Sequence, residues 1–488
     1  YNRTFGRHDV NAMLLYNQDE LVNNVPGNNL INSLPKRKQG LAGRLSYAYD
    51  GKYMAEVNMG YNGSENFAKG HRWGFFPSIA LGYNISEESF FEPLRKVITS
   101  MKLRGSWGLV GNDQIGGERF IYMPTINLSG KGFTTGIDQN YGLSGPVYTR
   151  YENNSITWEV GEKINLGIDL QLLNSLNIVV DIFRETRRDI FQKKGTIPTY
   201  LGTGNTDVFG NLAEMKNQGL DLSIDYNKAF SKDFYMNFKG TFTYAHNEIT
   251  KYDEAPKYAF QSKVGQSANV SQGYLSNGLF LDEAEIDRYN QQMGSTLGAG
   301  DIKYLNVSNM HGYGDDIVDV DDWTWIGNPT VPEIVYGFGP SFKYKNWDFS
   351  FFFQGVAKTS LFMSGFHPFG DNSLRNVLQF VANDRWSPTN QNVDAKYPRL
   401  TRKTSLNNTN PGNSGRTSDY WMRDGSFLKL KNMELGYTFK RMRFYISGSN
   451  LLTFSKFDLW DPEQGGGSGL KYPTQRVFNV GFQMTFNN

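Results

Sequence analysis

The 488-residue chain contains no cysteine, which removes a disulfide frame, thiolate chemistry and cysteine metal sites. Histidine is nearly as scarce. His8, His71, His246, His311 and His367 are scattered, and none stands in an HExxH or other paired-ligand spacing. Excess charge is missing as well. Fifty Lys and Arg against 48 Asp and Glu leave a formal net charge of +2. No basic run interleaved with aromatics occurs either, so nucleic acid is not the partner. No apolar run approaches the roughly 18–20 residues of a membrane helix. Neither a G-x-S-x-G elbow nor a G-x-x-x-x-G-K phosphate cradle is present. Gly337-Phe338-Gly339, half of a dinucleotide fingerprint, lies in a strand-like pattern. Paired carboxylates for glycosidase work need a separation that sequence does not supply. Composition and motifs therefore point away from catalysis.

What the chain has is aromatic residues and alternation. Phe, Tyr and Trp make up 15%, with 35 Phe and 28 Tyr, while mean hydropathy is negative. Segments of about ten residues alternate large apolar side chains with small or polar ones, the period of a β-strand. Leu41–Tyr49 is one such segment. After Asp50-Gly51-Lys52 it is answered by Tyr53–Tyr61, and the last, Val477–Phe486, runs almost to the end. The alternation predicts about 14 long strands, centred near residues 13, 45, 57, 79, 104, 166, 180, 223, 240, 339, 352, 431, 445 and 481. Short turns such as 50–52, 174–175, 230–233, 345–346 and 440–441 separate long connections at 17–36, 111–154, 189–214, 248–333, 359–425 and 451–475. Counted back from a descending last strand, all six long connections fall on one side. Short turns on one side and long loops on the other are the outer-membrane signature. The connection near 84–98 fits that rule less well. The expected fold is therefore all-β, a transmembrane antiparallel β-barrel. Tyr1 lies within strand-like sequence, and the chain reads as a piece of a longer protein.

Particular residues carry a family likeness. They include Ala42–Tyr47, Tyr61–Ser64, Phe67, Arg72–Ser78, Leu103–Asp113, Gly300–Tyr304 and Ile326–Pro329. Asp424–Asn432, Leu435–Tyr437, Ser449–Phe454, Asp461-Pro462-Glu463 and Tyr472-Pro473 follow in the same order. Across residues 41 to 486 the chain resembles the SusC/RagA-type TonB-linked outer-membrane transporters. That resemblance implies the C-terminal part of a barrel of about 22 strands. The plug domain and the early strands have no counterpart in residues 1–488. It also implies import of a glycan or oligopeptide through a Gram-negative, Bacteroidetes-like outer membrane, under a SusD-like surface lipoprotein lid. The TonB complex would be contacted through the missing N-terminal region. The alternative is a passive porin or a ligand-binding barrel without energy coupling; an outer-membrane enzyme using loop carboxylates is a third reading.

Loop aromatics offer flat apolar area with polar edges to sugars or peptide side chains. The candidates are Tyr141, Tyr148, Tyr258, Phe260, Trp323, Trp325, Phe366, Trp386 and Trp421, with packing of the loops as their plainer role. Within the acidic stretch, Asp315, Asp319 and Asp322 are the candidate ligands of a structural calcium, against a solvated acidic loop. Relatives of this type carry a calcium-loop-like D-x-N-G-D-G run thereabouts, of which this chain keeps only the tail. Phe75, Phe76, Tyr83, Trp107, Phe349, Phe351, Phe353, Tyr437, Phe439, Phe482 and Phe486 are the expected lipid-facing or interfacial aromatics.

Overall fold

The computed structural model describes residues 1–25, 30–116, 118–198, 200, 207–289, 291–292, 297–313, 315–364, 377–400, 408 and 417–486. Fifteen strands form one antiparallel sheet, each hydrogen-bonded to its neighbour in sequence. They are β1 (Asn2–Phe5), β2 (His8–Leu21), β3 (Lys36–Tyr49), β4 (Tyr53–Ser64), β5 (Trp73–Asn84), β6 (Ile98–Asn112), β7 (Glu159–Leu172) and β8 (Leu176–Lys193). The remainder are β9 (Phe209–Ala229), β10 (Phe234–Lys251), β11 (Ile334–Tyr344), β12 (Trp347–Ala357), β13 (Phe427–Phe439), β14 (Met442–Ser455) and β15 (Val477–Met484). Each of the fourteen predicted centres falls inside one of β2 to β15. Only the short β1 went unread. Among the described residues no helix is long and apolar enough to cross a membrane.

The turns are built as their residues demand. Asp50 and Gly51 both take positive φ, 53° and 66°, the left-handed pair that matches the twist of a tight hairpin. Leu173, Asn174, Lys345 and Lys440 take the same region at the other short turns.

The chain folds as two compact units. The first comprises residues 1–224, 245–255 and 263–266. Across β3 to β7 the register aligns Leu45, Val57, Ile79, Trp107 and Ile164 into one row, each 37–52% exposed. Tyr61 stacks on Trp73 at 4.7 Å and Tyr53 on Tyr83 at 5.2 Å, marking the two ends of this face. Tyr53 and Tyr61 share a strand, about 26 Å apart at about 3.3 Å per residue. The opposite face is polar. There Arg104 bridges Asp169 at 3.0 Å and Asp181 at 2.6 Å across Gly167, where a Cβ would lie 2.7 Å from the guanidinium carbon. Phe76 corrects one expectation. It points away from the exposed face its neighbour Phe75 shares, because successive strand residues alternate, and it packs edge-on against Trp158. With Phe67, Ile115, Ile121 and Ile156 these two residues form the buried core of the first unit.

The second unit comprises residues 225–244, 256–262 and 267–488. Its strands repeat the pattern. Phe342, Phe349, Leu435, Ile446 and Val480 align across β11 to β15. One step toward the short turns lies an all-aromatic row, Phe234, Tyr344, Trp347, Tyr437, Phe444 and Phe482, on six successive strands. The long connections 252–333, 358–426 and 456–476 contribute to a second core holding Tyr274, Leu279, Ile302, Tyr304, Met363 and Trp421. Asp301 is fully buried there. Its carboxylate accepts from Arg399 Nε (2.5 Å) and Nη2 (3.0 Å), Asn408 Nδ2 (2.6 Å) and the Gly298 amide (3.0 Å), so burial leaves no lone charge.

Candidate functional site

Where β12 and β13 meet the folded connections, the second unit holds a partly open cavity of about 830 Å³. Gln354 and Val356 line it from β12 and Phe427 from β13; Ser271, Trp323, Thr359, Ser360 and Thr417 come from the connections. Pro462, Glu463 and Gly465–Gly467 supply the remaining side. The lining is mainly apolar, with Trp323, Phe362 and Phe427 as its rings, and is set with the hydroxyls and amides of Ser271, Thr359, Ser360, Thr417 and Gln354. Thr359 Oγ1 donates to the Pro329 carbonyl at 3.0 Å and Ser360 Oγ accepts from the Asn328 amide at 2.9 Å, fixing both side chains. Glu463 is the only charged residue among the lining residues. Its charge is met by Lys429 at 2.9 Å and Lys431 at 2.8 Å.

The register explains how two lysines reach one carboxylate. Between Leu430 and Asn432 the pairing of β13 with both neighbours shifts, and against β12 Lys431 is the extra residue of a bulge. A bulge re-aims side chains beside a site. Lys429 lies directly across from Gln354, only 1% exposed, and also pairs with Asp461. Burial pushes the Asp461 and Glu463 carboxyls up, but the lysine hydrogen bonds outweigh it and hold both below the usual carboxylate range.

A second feature is an aromatic cluster on the connections. Tyr258 lies 4.2 Å from Tyr313 and stacks on Phe260 at 5.5 Å, and Phe260 stacks on His311 at 4.6 Å. Lys257 caps the Tyr258 ring and pairs with Asp321; the hydrogen bond to that carboxylate raises the lysine pKa.

The predicted aromatics therefore separate. Trp323 lines the cavity, and Tyr258 and Phe260 form half of the cluster. Trp325 donates its indole N–H to the Ser262 carbonyl at 2.8 Å. Tyr141 and Tyr148 stand exposed on a separate hairpin, Thr125–Thr135 with Tyr141–Arg150. Trp386 and Trp421 are corrections. At 5% and 0% exposure they are packed into the core of the second unit and present no face to a ligand. Phe366 lies outside the described residues.

The acidic stretch, where Asp315, Asp319 and Asp322 are the candidate calcium ligands, is hydrogen-bonded within itself. Asp322 Oδ1 accepts from the Ser308 amide (2.9 Å) and hydroxyl (3.0 Å), and Oδ2 accepts from the Asp319 amide (2.7 Å). Asp315 accepts from Asn306, Ser308 and the Ile317 amide, and Asp319 accepts from the Asp321 amide as a helical cap. N–H and O–H donors thus engage both oxygens of Asp322 and the Oδ1 atoms of Asp315 and Asp319. Among the described residues no three acidic or histidine side chains converge as ligands. Lys429, Lys431, Gln354 and Glu463 were not singled out by sequence. The segments Asp424–Asn432 and Asp461–Glu463 carried family likeness but no readable role.

Residues 1–451 match the family described as TonB dependent receptor-like, beta-barrel. TonB-dependent receptor P3 of Formosa agariphila is 26% identical over 481 residues, covering 91% of this chain and 45% of the relative. TonB-dependent receptor SusC of Bacteroides thetaiotaomicron is 28% identical over 471 residues, with 91% and 43% covered. The chain thus spans about half the length of the curated relatives it matches. Among solved structures, the RagAB peptide transporter superposes on all of the chain with a TM-score of 0.72 at 20% identity, using 54% of its own length.

Proposed function

The chain belongs to the TonB-dependent receptor-like β-barrel family, and from that membership we propose that it is the membrane-spanning part of an outer-membrane importer of glycans or oligopeptides. One observation carries the reading. Neighbouring strands expose a largely apolar face edged by aromatic rows, while the opposite face carries ion pairs. A soluble sheet has no use for such a face. A barrel in lipid needs it, because its backbone groups are satisfied between strands and its outer side chains meet hydrocarbon. The connections at the strand ends away from the short turns then form a folded roof with a ligand-sized cavity, as capture of a cargo requires.

Energy would reach the barrel through TonB, and a SusD-like surface lipoprotein would close over the connections. Relatives from Formosa and Bacteroides support an outer membrane of a Bacteroidetes-like cell. The side chains named act by binding and gating, with no bond-making step. Two measurements on the full protein test this. Gentle detergent extraction from native outer membranes should bring down a surface lipoprotein in stoichiometric amount. Cargo uptake by cells should stop when a protonophore collapses the proton gradient. A barrel that purifies alone and passes cargo without the gradient is a passive pore, and would refute the importer.

A further inference from the structure

Burying an ammonium group on a strand is costly, and a well-packed apolar side chain of similar volume commonly does as well or better for stability. Lys429 is nevertheless 1% exposed on β13, covered by Asp461 and Glu463 from the connection that follows β14. In some proteins such a group fixes one arrangement of the chain over others. Here the arrangement around it is a built turn. Asp461 caps the short turn Pro462–Gln464, accepting from the Glu463 amide at 3.1 Å, and this turn leads directly into the glycine run at the cavity. Gly465 and Gly467 take φ of 72° and 125°, where residues with a side chain are strained. Gly466 lies so close to β-bridged chain that a Cβ would stand 2.7 Å from the Phe362 carbonyl oxygen. Beyond the lysines, the Gly467 amide donates to the Phe362 carbonyl (2.8 Å) and the Ser364 amide to the Gly467 carbonyl (2.7 Å).

We propose that Lys429 and Lys431 are positioning residues for a closable wall: their ion pairs with Asp461 and Glu463 hold the 461–467 segment shut against the 830 Å³ cavity. The bulge at Lys431 delivers the second ammonium to the same carboxylate, and the glycines after the turn supply the hinge. Opening the cavity at the 461–464 end means parting these pairs, while the Gly467 bonds to Phe362 and Ser364 anchor the far end. Such a wall operates whatever the cargo and with or without energy coupling.

Thiol accessibility tests it in the full protein assembled in membranes, against a blank without the introduced cysteine. Ser271→Cys places a thiol in the cavity lining, and Ser144→Cys places one on the exposed hairpin as a control. The reagent is a charged methanethiosulfonate. Glu463→Gln and Lys431→Gln, each at a partly exposed side chain, should speed labelling at position 271 about tenfold, the factor set by about 1.4 kcal/mol. Lys431→Arg keeps the charge and should leave labelling slow. Position 144 should label at one rate in every background. Unchanged labelling at 271 in both Gln variants would overturn the proposal. An equal rise at 144 would overturn it too, because the effect would then be general loosening.

Discussion

Replacing Phe351 with arginine puts a charge near the middle of the exposed apolar face. Phe351 lies on β12 four residues beyond Trp347, whose row is aromatic across β10 to β15. Four residues span about 13 Å of strand. With the strand tilted by about 40°, that is about 10 Å of depth in an apolar band about 25 Å tall. Arginine at such a depth costs about 2–4 kcal/mol, roughly 30- to 700-fold in the folding equilibrium. Loss of the ring contacts with Phe349 (5.7 Å) and Phe353 (5.8 Å) adds to this. Two controls fix the sign. Ser350→Arg sits on the opposite face, across from Glu434, where a cation meets a carboxylate. Trp347→Arg sits at the rim, where the cost falls to about 0–1 kcal/mol. The assay is the folded fraction in lipid vesicles across a denaturant series, read from the heat-sensitive gel shift of an intact barrel. The reasoning predicts loss for Phe351→Arg alone. Equal tolerance of Phe351→Arg and Ser350→Arg, or a worse outcome for Ser350→Arg, would refute the assignment of faces.

Three further outcomes follow from named contacts. Trp421→Ala should cost about 3–5 kcal/mol and expose the 358–426 connection to protease while β-strand assembly persists, whereas Trp323→Ala should leave protease resistance unchanged and weaken cargo binding. Asp113 is tied to Lys38 at 2.6 Å and Ser64 at 2.7 Å. Burial pushes its carboxyl up, but those hydrogen bonds and the lysine charge win and hold it low. A depressed carboxylate stabilises above its unfolded pKa and loses that contribution as pH falls through its folded value. Protection of the 113–158 connection should therefore fade on acidification, and Asp113→Asn, worth about 1–3 kcal/mol, should flatten that dependence; a variant with the parent's pH profile would contradict it. Chelation should leave cleavage within residues 301–327 unchanged, because the carboxylates of Asp315, Asp319 and Asp322 are held by N–H and O–H donors. Faster cleavage with chelator would reinstate a metal.

The strands were legible because membrane sheets write period two plainly, one face apolar and the other small or polar. The exceptions have local causes. Phe75 and Phe76 read as two adjacent candidates for one face, but a strand grants that face to only one of them, and the buried partner of Phe76, Trp158, lies across a long connection. On β13 the bulge at Lys431 breaks the alternation, so Leu430 and Met433 share a face despite an odd spacing. Trp386 and Trp421 look like surface aromatics in loop sequence because nothing local marks a loop core. The core that buries them includes Tyr274, Ile302 and Tyr304, more than eighty residues away in the chain. The same holds for Lys429. As one polar residue in Phe427-Leu428-Lys429-Leu430 it reads as lumen-facing, and only the fold brings Asp461 and Glu463 over it. The cavity was out of reach of sequence for that reason.

The most direct test of the account is a spin-label accessibility scan of the full protein in membranes, one cysteine at a time, with this stretch starting from none. Labels at Val57, Ile79, Ile446 and Val480 should respond to oxygen, which concentrates in hydrocarbon. Labels at Asn58, Ser78, Ser447 and Asn479 should respond to a water-soluble nickel chelate instead. That alternation, residue by residue, is what a lipid-facing barrel predicts. Oxygen and nickel accessibility that fail to alternate, or that alternate with the polar positions in lipid, would contradict it.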